Sequence, residues 1–182
     1  MIINLRGTSG AGKSTVVRRV RDLLDEPWEP IYIEGRRKPY YYLEEKYKLC
    51  TLGHYESQCG GCDTISGNEK LYELILERHH AGYHVLCEGI LLSEDTKWTF
   101  KLHEAKVPLW IIFLHVDLET CLTRIRQRRL DRGDTKPLNP KNTTNRFSVI
   151  KRARVKLEAA GVSCRALGCD QAPKVISRWL KE

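Results

Sequence analysis

A glycine-rich loop near the N-terminus constrains this chain more than any other feature. Residues 7–14 read Gly-Thr-Ser-Gly-Ala-Gly-Lys-Ser, which fills every position of the pattern G-x-x-x-x-G-K-[ST]. An apolar run at 2–5 precedes this loop, and a helical pattern at 13–24 follows it. Glycines let successive backbone N–H groups curl around one anion, and the start of the helix adds its positive end. The loop therefore predicts a binding site for a nucleoside triphosphate.

The polar residues of this phosphate loop each have a chemical role. Lys13 supplies a mobile charge for the β- and γ-phosphates, Ser14 supplies a hydroxyl ligand for Mg²⁺, and Thr15 offers a hydroxyl near the α-phosphate. We expect ATP and Mg²⁺ as cofactors. The residues expected to bind the nucleotide form one continuous segment: Gly7, Thr8, Ser9, Gly10, Ala11, Gly12, Lys13, Ser14 and Thr15. A GTPase would also need the guanine motif N-K-x-D, and the sequence contains none.

Apolar runs alternate with helical patterns along the chain, which is typical of an α/β fold with a mainly parallel sheet. The predicted strands are five in number: 2–5, 31–33, 84–87, 109–116 and 162–167. The predicted helices lie between them: 13–24, 69–80, 93–105, 118–130, 143–160 and 173–180. A chain of 182 residues suits a single three-layer P-loop domain, residues 1–182. An irregular insertion is expected at about 36–66 and an arginine-rich lid at about 124–146.

Composition and charge indicate the cellular compartment of the protein and the kind of partner that it binds. No apolar run reaches the roughly 18 residues of a transmembrane helix, and the N-terminus lacks the features of a secretory signal. Seven cysteines in such a chain suit reduced thiols, so we expect a cytoplasmic protein. The net charge is +8, and residues 101–182 carry 18 lysines and arginines against 8 acidic residues. This basic half favours a polyanionic partner, for which nucleic acid is the leading candidate.

Two carboxylates and a cluster of arginines are candidates for the chemistry. Glu34 and Glu88 each follow a predicted strand and each precede a glycine. Ligands of open α/β sheets lie beyond the carboxyl ends of strands, so both side chains are expected beside the phosphate loop. Helical spacing brings Arg124 and Arg128 to one face, where planar guanidinium groups would bind phosphate oxygens in pairs. Each feature has an alternative interpretation without a role in chemistry. The two glutamates would be solvated ends of strands, and the arginines would form a solvated basic helix.

The layout resembles the nucleoside- and nucleotide-kinase group of P-loop proteins. The resemblance rests on the phosphate loop and on the run at 109–124, in which an apolar strand leads to Asp117, Glu119 and then Arg124. It implies that Glu34, at the end of the second strand, is the base, and that Glu88 is a Walker B-type acid. Which of the two is the base and which supports Mg²⁺ stays open. The resemblance also implies that the arginine segment closes over the phosphates and excludes water.

The same resemblance places the acceptor in the insertion at 36–66. The insertion residues expected to contact the acceptor are Arg36, Arg37, His54, Tyr55 and Asp63. Its tyrosines at 40–42 suit base stacking, and helix packing is their alternative role. Four residues there could also ligate zinc: Cys50, His54, Cys59 and Cys62. A glycine turn with two free thiols is the favoured interpretation of the Cys-Gly-Gly-Cys stretch, with structural zinc and a redox role as alternatives.

Two further stretches resemble small bacteriophage-type P-loop kinases. They are 52–63, which contains the Cys-Gly-Gly-Cys stretch, and 137–143, which reads Pro-Leu-Asn-Pro-Lys-Asn-Thr. Some members of that group phosphorylate the hydroxymethyl group of 5-hydroxymethyluracil within DNA. The resemblance implies an ATP-dependent kinase with a hydroxyl acceptor on nucleic acid. The alternatives are a kinase for free nucleosides or nucleoside monophosphates, a polynucleotide 5′-hydroxyl kinase, and a non-enzymatic nucleotide-binding module.

Overall fold

The computed structural model describes residues 1–57, 60–65, 67–134 and 136–182. Its sheet has seven strands in the order β2-β3-β4-β5-β1-β6-β7. The strands are β1 (Ile2–Arg6), β2 (Glu29–Ile31), β3 (Tyr41–Glu44), β4 (Leu49–Leu52), β5 (His84–Glu88), β6 (Leu109–Leu114) and β7 (Cys164–Leu167). The neighbours from β4 to β7 pair in parallel, whereas β2-β3 and β3-β4 are antiparallel. The expected mainly parallel sheet is confirmed, but the predicted number of five strands is wrong.

Helices cover both faces of the sheet. They are α1 (Lys13–Leu24), α2 (Asn68–His80), α3 (Ile90–Glu94), α4 (Lys97–Glu104), α5 (Leu118–Leu130), α6 (Lys141–Ala159) and α7 (Gln171–Lys181). One apolar core joins α1 and α7 to one face, and a second core joins α2, α4 and α6 to the other. The predicted three-layer arrangement is therefore confirmed. Among the described residues, no helix is long and apolar enough to cross a membrane.

The central strand β1 anchors the phosphate loop to the sheet. All five of its residues are buried, as expected for a strand with parallel neighbours on both sides and helices on both faces. Ile3 and Leu5 face the core of α1, while Ile2 faces the core of α2 and α6. The loop that follows β1 is thus anchored to the middle of the sheet.

The insertion contains the two strands that the sequence patterns missed. β3 and β4 form an antiparallel hairpin, in which Tyr41 pairs with Leu52 and Glu44 with Leu49. The turn of the hairpin is organised by the Glu44 carboxylate, which accepts hydrogen bonds from the backbone N–H groups of Lys46 and Tyr47 at 2.7 and 2.8 Å. The tyrosine run therefore belongs to a strand and its approach, and its role is core packing within a sheet.

A single helix predicted at 93–105 is divided into α3 and α4. The break falls at Asp95, whose backbone is extended. Its carboxylate accepts hydrogen bonds from the backbone N–H groups of Trp98 and Thr99 at 3.3 and 3.1 Å, which satisfies donors at the start of α4. The helical pattern of the sequence is continuous here, but the hydrogen bonds of Asp95 start a new helix, α4.

Candidate active site

A cavity of about 410 Å³ lies at the phosphate loop. The loop contributes a lining of seven residues: Thr8, Ser9, Gly10, Gly12, Lys13, Ser14 and Thr15. Gly10 and Gly12 have positive φ angles of 79° and 94°. A Cβ atom at Gly10 would also lie 2.3 Å from the carbonyl oxygen of Cys121, so a larger residue there would displace α5. We name this space the phosphate-loop cavity.

Lys13 is the first residue of α1 and is only 8% exposed. Its Nζ donates to the carbonyl oxygens of Gly7 and Thr8 at 2.8 and 3.3 Å. Both partners belong to the loop itself, so the ammonium group lies against the phosphate loop. A flexible stem lets such a group exchange carbonyl oxygens for phosphate oxygens.

Glu88 lies at the carboxyl end of β5, opposite Leu5 of β1, and is 2% exposed. Its Oε1 accepts a hydrogen bond of 2.7 Å from the Ser14 hydroxyl. Burial raises the pKa of the Glu88 carboxyl above its ordinary value of 4.5, against the opposing effects of Lys13 and Ser14. The structure therefore brings a buried carboxylate and a loop hydroxyl together at the phosphate loop. Oxygen ligands of this kind, completed by phosphates and water, fit Mg²⁺.

A second carboxylate, Asp63, lines the same cavity from the insertion. Both of its oxygens accept from the backbone N–H of Ile90 at 2.8 Å, and Oδ1 also accepts from the N–H of Leu91 at 3.3 Å. These bonds fix its direction beside the end of β5. Gly61 makes the approach possible, because a Cβ atom there would lie 2.4 Å from Glu88 Oε1.

Glu34 does not belong to this site, and its predicted position beside the phosphate loop is wrong. The strand that precedes it, β2, ends at Ile31 and lies at the edge of the sheet, with β3 and β4 between it and β5. Glu34 sits in an exposed turn and does not line the phosphate-loop cavity. The sequence pattern of an apolar run before Glu-Gly did not distinguish a central parallel strand from an antiparallel edge strand.

Helix α5 provides the basic wall of the cavity. Arg124 and Arg128 line it together with Gln127, and the Arg124 Nη1 donates to the Gly10 carbonyl oxygen at 3.3 Å. Their neighbours point elsewhere: Arg126 forms an ion pair with Glu119 at 2.9 Å. The two arginines selected by helical spacing are thus the two arginines of α5 that line the cavity.

Arg18 is a cavity residue that the sequence analysis did not select. It lies one turn after Ser14 on α1, and its Nη2 donates to the carbonyl oxygen of Tyr55 at 3.2 Å. Its guanidinium therefore links the phosphate-loop helix to the insertion. The i, i+4 spacing from Ser14 is the signal that could have identified it.

Four of the insertion residues expected at the acceptor do not line this cavity. Arg37 is exposed, whereas Arg36 is half-buried and donates to the Thr64 carbonyl oxygen at 2.8 Å. His54 is 5% exposed, pairs with Gly61 through an isolated backbone bridge, and has its pKa lowered by burial. Tyr55 is a core residue whose hydroxyl donates to the Leu52 carbonyl oxygen at 3.2 Å. These side chains shape the insertion, and only Asp63 of the predicted set reaches the cavity.

Two cysteines of the insertion, Cys50 and Cys62, are core residues. Both are fully or almost fully buried, and burial raises the pKa of both thiols. Cys59 lies outside the described residues. Within those residues, no group of three or more histidines, cysteines and acids could hold a metal ion. The two glycines serve close packing, since a Cβ atom at Gly60 would lie 1.9 Å from the His54 carbonyl oxygen.

Known proteins resemble this chain in sequence and in fold. A model of the family described as 5-hmdU DNA kinase matches residues 1–160. The chain is 41% identical over 184 aligned positions to a 5-hmdU DNA kinase of Pseudomonas phage PaMx11, covering 99% of this chain and 97% of that protein. It is 24% identical to a 5-hmdU DNA kinase of Bacillus phage SP10, covering 90% of this chain but only 26% of that longer protein.

A solved structure shows the same fold. The Bacillus subtilis YorR protein in complex with phosphorylated GDP aligns with a TM-score of 0.52 and 18% identity, over 100% of this chain and 94% of that one. The family model covers the phosphate loop, the insertion and the arginine segment, and the nearly full-length phage relative covers the remaining helix as well. The chain therefore belongs to the 5-hmdU DNA kinase family.

Proposed function

We propose that this protein transfers the γ-phosphate of ATP to the hydroxymethyl group of 5-hydroxymethyluracil in DNA. The observation that carries the proposal is the family match over residues 1–160, which spans every residue of the phosphate-loop cavity. The cavity supports it, because a phosphate loop, three carboxylates and three arginines share one space. The activity would take place in the cytoplasm, where the DNA is.

On the nucleotide side, the loop N–H groups and the start of α1 receive the β- and γ-phosphates. Lys13 leaves the carbonyl oxygens of Gly7 and Thr8 and binds the transferred group. Arg124 and Arg128 neutralise the charge that spreads over the phosphate oxygens in the loose transition state. Ser14 and Glu88 would hold Mg²⁺, which would help to neutralise the negative charge of the phosphates.

On the acceptor side, we assign the orienting role to Asp63. Its carboxylate is held by the N–H groups of Ile90 and Leu91, and it shares the cavity with Glu88. It would accept a hydrogen bond from the primary hydroxyl and take the proton as the oxygen–phosphorus bond forms. A strong base is not needed, because the transition state is dissociative and the hydroxyl loses its proton late. This assignment replaces the role that the sequence gave to Glu34.

The DNA must present the base in an accessible form. A base inside a duplex cannot reach a phosphate loop, so it would be flipped out or met in single-stranded DNA. The basic surplus of residues 101–182, with 18 lysines and arginines against 8 acids, supports binding to the phosphate backbone.

The proposal is tested with γ-labelled ATP and a matched set of acceptors. The set comprises a DNA oligonucleotide with one 5-hydroxymethyluracil, the same oligonucleotide with thymine, a 5′-hydroxyl oligonucleotide, and free 5-hydroxymethyl-deoxyuridine monophosphate. We expect label only on the modified oligonucleotide, and digestion to nucleosides should locate the phosphate on the base. Label on the 5′ end of the thymine oligonucleotide, or on the free monophosphate alone, would contradict the proposal.

A further inference from the structure

A second cavity, of about 290 Å³, lies beyond the carboxyl ends of β1 and β6. These two strands are adjacent, yet the strands that follow β1 in the chain, β2 to β5, all lie on one side of it, and the chain then crosses to β6 on the other side. Such a reversal of strand order opens a crevice where α/β proteins bind ligands. We name this space the switch-point cavity. Its lining does not include Ser14, Asp63 or Glu88, the residues assigned above to Mg²⁺ and to the acceptor.

The switch-point cavity has an aromatic lining suited to a planar ring. Phe113 at the end of β6 and Phe147 on α6 both line it. Phe113 belongs to a core cluster, whereas Phe147 is half-buried and belongs to neither of the two core clusters. An aromatic side chain that packs in no core and faces a cavity of base size is available for stacking. Successive bases of single-stranded nucleic acid stack on aromatic rings in this way.

A buried cation contributes a polar feature to the same cavity. Arg6, at the end of β1, is fully buried, and its two Nη atoms donate to the Asp95 carbonyl oxygen and the Thr99 hydroxyl. Its Nε is buried without a hydrogen-bond partner within the described part of the chain. Because Arg6 is fully buried, a ligand in the cavity would meet the positive charge of its guanidinium and not its N–H groups. The exocyclic oxygens of a pyrimidine or of guanine are the polar atoms of a base that such a charge attracts.

The rim of the cavity carries the charge that a nucleotide requires. Lys151 and Arg154 line it from α6. This helix holds six basic residues and one acid between Lys141 and Ala159. Phosphates on either side of a bound base would meet this rim, so the cavity matches a nucleotide within a strand better than a neutral small molecule.

The phosphate loop contributes residues to both cavities. Thr8 lines both, Gly7 lines the switch-point cavity, and Lys13, whose ammonium group donates to the carbonyl oxygens of Gly7 and Thr8, lines the phosphate-loop cavity. Asp63, which would orient the acceptor hydroxyl, and Glu88, which would hold Mg²⁺, line the phosphate-loop cavity and not the switch-point cavity. The base that enters the switch-point cavity is therefore a different base from the one that reacts.

We propose that the switch-point cavity binds a nucleobase that flanks the target base on the same DNA strand. The inference rests on the proposed function for the identity of the strand as DNA. It deepens that function, because a flanking-base subsite would make the kinase sensitive to the sequence next to the modified base and would hold the strand while the target base enters the phosphate-loop cavity.

The first test measures binding without chemistry. The dissociation constant for an unmodified single-stranded thymidine oligonucleotide is determined for the wild type, Phe147→Ala and Phe147→Leu, with Val155→Ala as the control. Val155 is 62% exposed on the same helix and does not line the cavity. Loss of the ring should weaken binding about tenfold in both Phe147 variants, while the control is unchanged. Because leucine preserves apolar packing, unchanged binding by a folded Phe147→Leu protein would overturn the proposal.

The second test identifies which base occupies the cavity. Oligonucleotides carry one 5-hydroxymethyluracil and an abasic site either next to it or in its place. A flanking abasic site should weaken wild-type binding about tenfold on one side of the target, and should have no further effect in Phe147→Leu. If the abasic site at the target shows that coupling instead, the reacting base occupies the cavity and the proposal is overturned. Both readouts are binding constants, so they stand even if the phosphorylation assay fails.

The third test concerns the rim. The double variant Lys151→Ala/Arg154→Ala should reduce the slope of log affinity against log salt by about 1.4 for single-stranded DNA. The matched pair Arg152→Ala/Lys156→Ala removes two exposed charges of the same helix that do not line the cavity. A smaller change in that pair supports the rim assignment. An equal change in both pairs would mean that DNA crosses the helix without using the cavity, which contradicts the proposal.

Discussion

The phosphate loop and the insertion meet at one carboxylate, Glu88, but acquire their shapes differently. The phosphate loop is local: nine consecutive residues, 7–15, follow β1 and run into the first turn of α1, and they contain its glycines, its lysine and its hydroxyls. The insertion is assembled from distant parts. Asp63 is held by N–H groups of α3, and Gly61 lies against Glu88 at the end of β5. A local site can be recognised from a short pattern, whereas an assembled site depends on how strands are ordered.

The glycines of the two regions illustrate the difference. In the phosphate loop, Gly10 and Gly12 adopt positive φ angles so that the chain can wrap an anion. In the insertion, Gly60 and Gly61 allow two segments of backbone to touch, since Cβ atoms there would lie 1.9 Å from the His54 carbonyl oxygen and 2.4 Å from Glu88 Oε1. The same residue type creates a ligand cradle in one region and a packing contact in the other.

The largest effect is expected in the phosphate loop. Lys13→Ala removes the stored ammonium group and should lower turnover about 100- to 1,000-fold, because a preorganised donor to the transferred charge is lost. Initial rates at saturating ATP and modified DNA measure the change. Circular dichroism and thermal unfolding of the variant control for folding. An unchanged rate in a folded protein would show that the loop does not bind the reacting nucleotide.

The next largest effect on turnover distinguishes the roles of the two predicted carboxylates, Glu88 and Glu34. Glu88→Gln should lower turnover about 100-fold, and part of the loss should be recovered at higher Mg²⁺ if this carboxylate holds the ion. Glu34→Gln is the matched control and should leave turnover unchanged, since Glu34 is exposed in a turn outside the cavity. Steady-state rates over a range of Mg²⁺ concentrations provide the measurement. Equal losses in the two variants would contradict the site described here.

Gly61 of the insertion and Gly67, which follows the insertion, test how much the close contact with Glu88 affects stability. Gly61→Ala combines a φ of 74° with a Cβ atom 2.4 Å from the Glu88 carboxylate. It should cost about 2–4 kcal/mol in the free energy of unfolding. Gly67→Ala is the control, with a φ of 85° and no atom within 4 Å of the added Cβ. It carries the backbone strain without the contact and should cost about 1–3 kcal/mol less than Gly61→Ala. Chemical denaturation measures both, and similar costs would show that the contact with Glu88 is unimportant.

The smallest effect is a pH dependence of stability. Burial raises the pKa of Glu88 in the folded protein above 4.5, so the unfolded chain releases this proton at a lower pH than the folded chain does. The folded state therefore loses stability as the pH rises from 4.5 through the folded pKa. Glu88→Gln removes this loss. Its melting temperature should exceed that of the wild type more at neutral pH than at pH 4, and a difference that is equal at both pH values would contradict the assigned burial.

The places where the sequence patterns were wrong share one cause. The pattern at 31–33 followed by Glu-Gly looks like the end of a central strand, but the strand lies at 29–31 and pairs antiparallel with β3 at the sheet edge. His54 and Tyr55 look like ligands because they are polar or aromatic in an irregular stretch, yet both are buried. Strand order and burial depend on contacts between residues far apart in the chain, and no local pattern contains them.

The sequence by itself determined those features that depend only on residues close together in the chain. The spacing of Gly7, Gly12 and Lys13 specified the phosphate loop, and the helical period that puts Arg124 and Arg128 on one face specified the basic wall. Only the tertiary structure decided that Asp63 rather than Glu34 joins Glu88, and that a second cavity opens beside β6. The physical reason is that backbone loops and helix faces follow from local geometry, whereas the assembly of carboxylates and cavities follows from the order in which strands pair across the sheet.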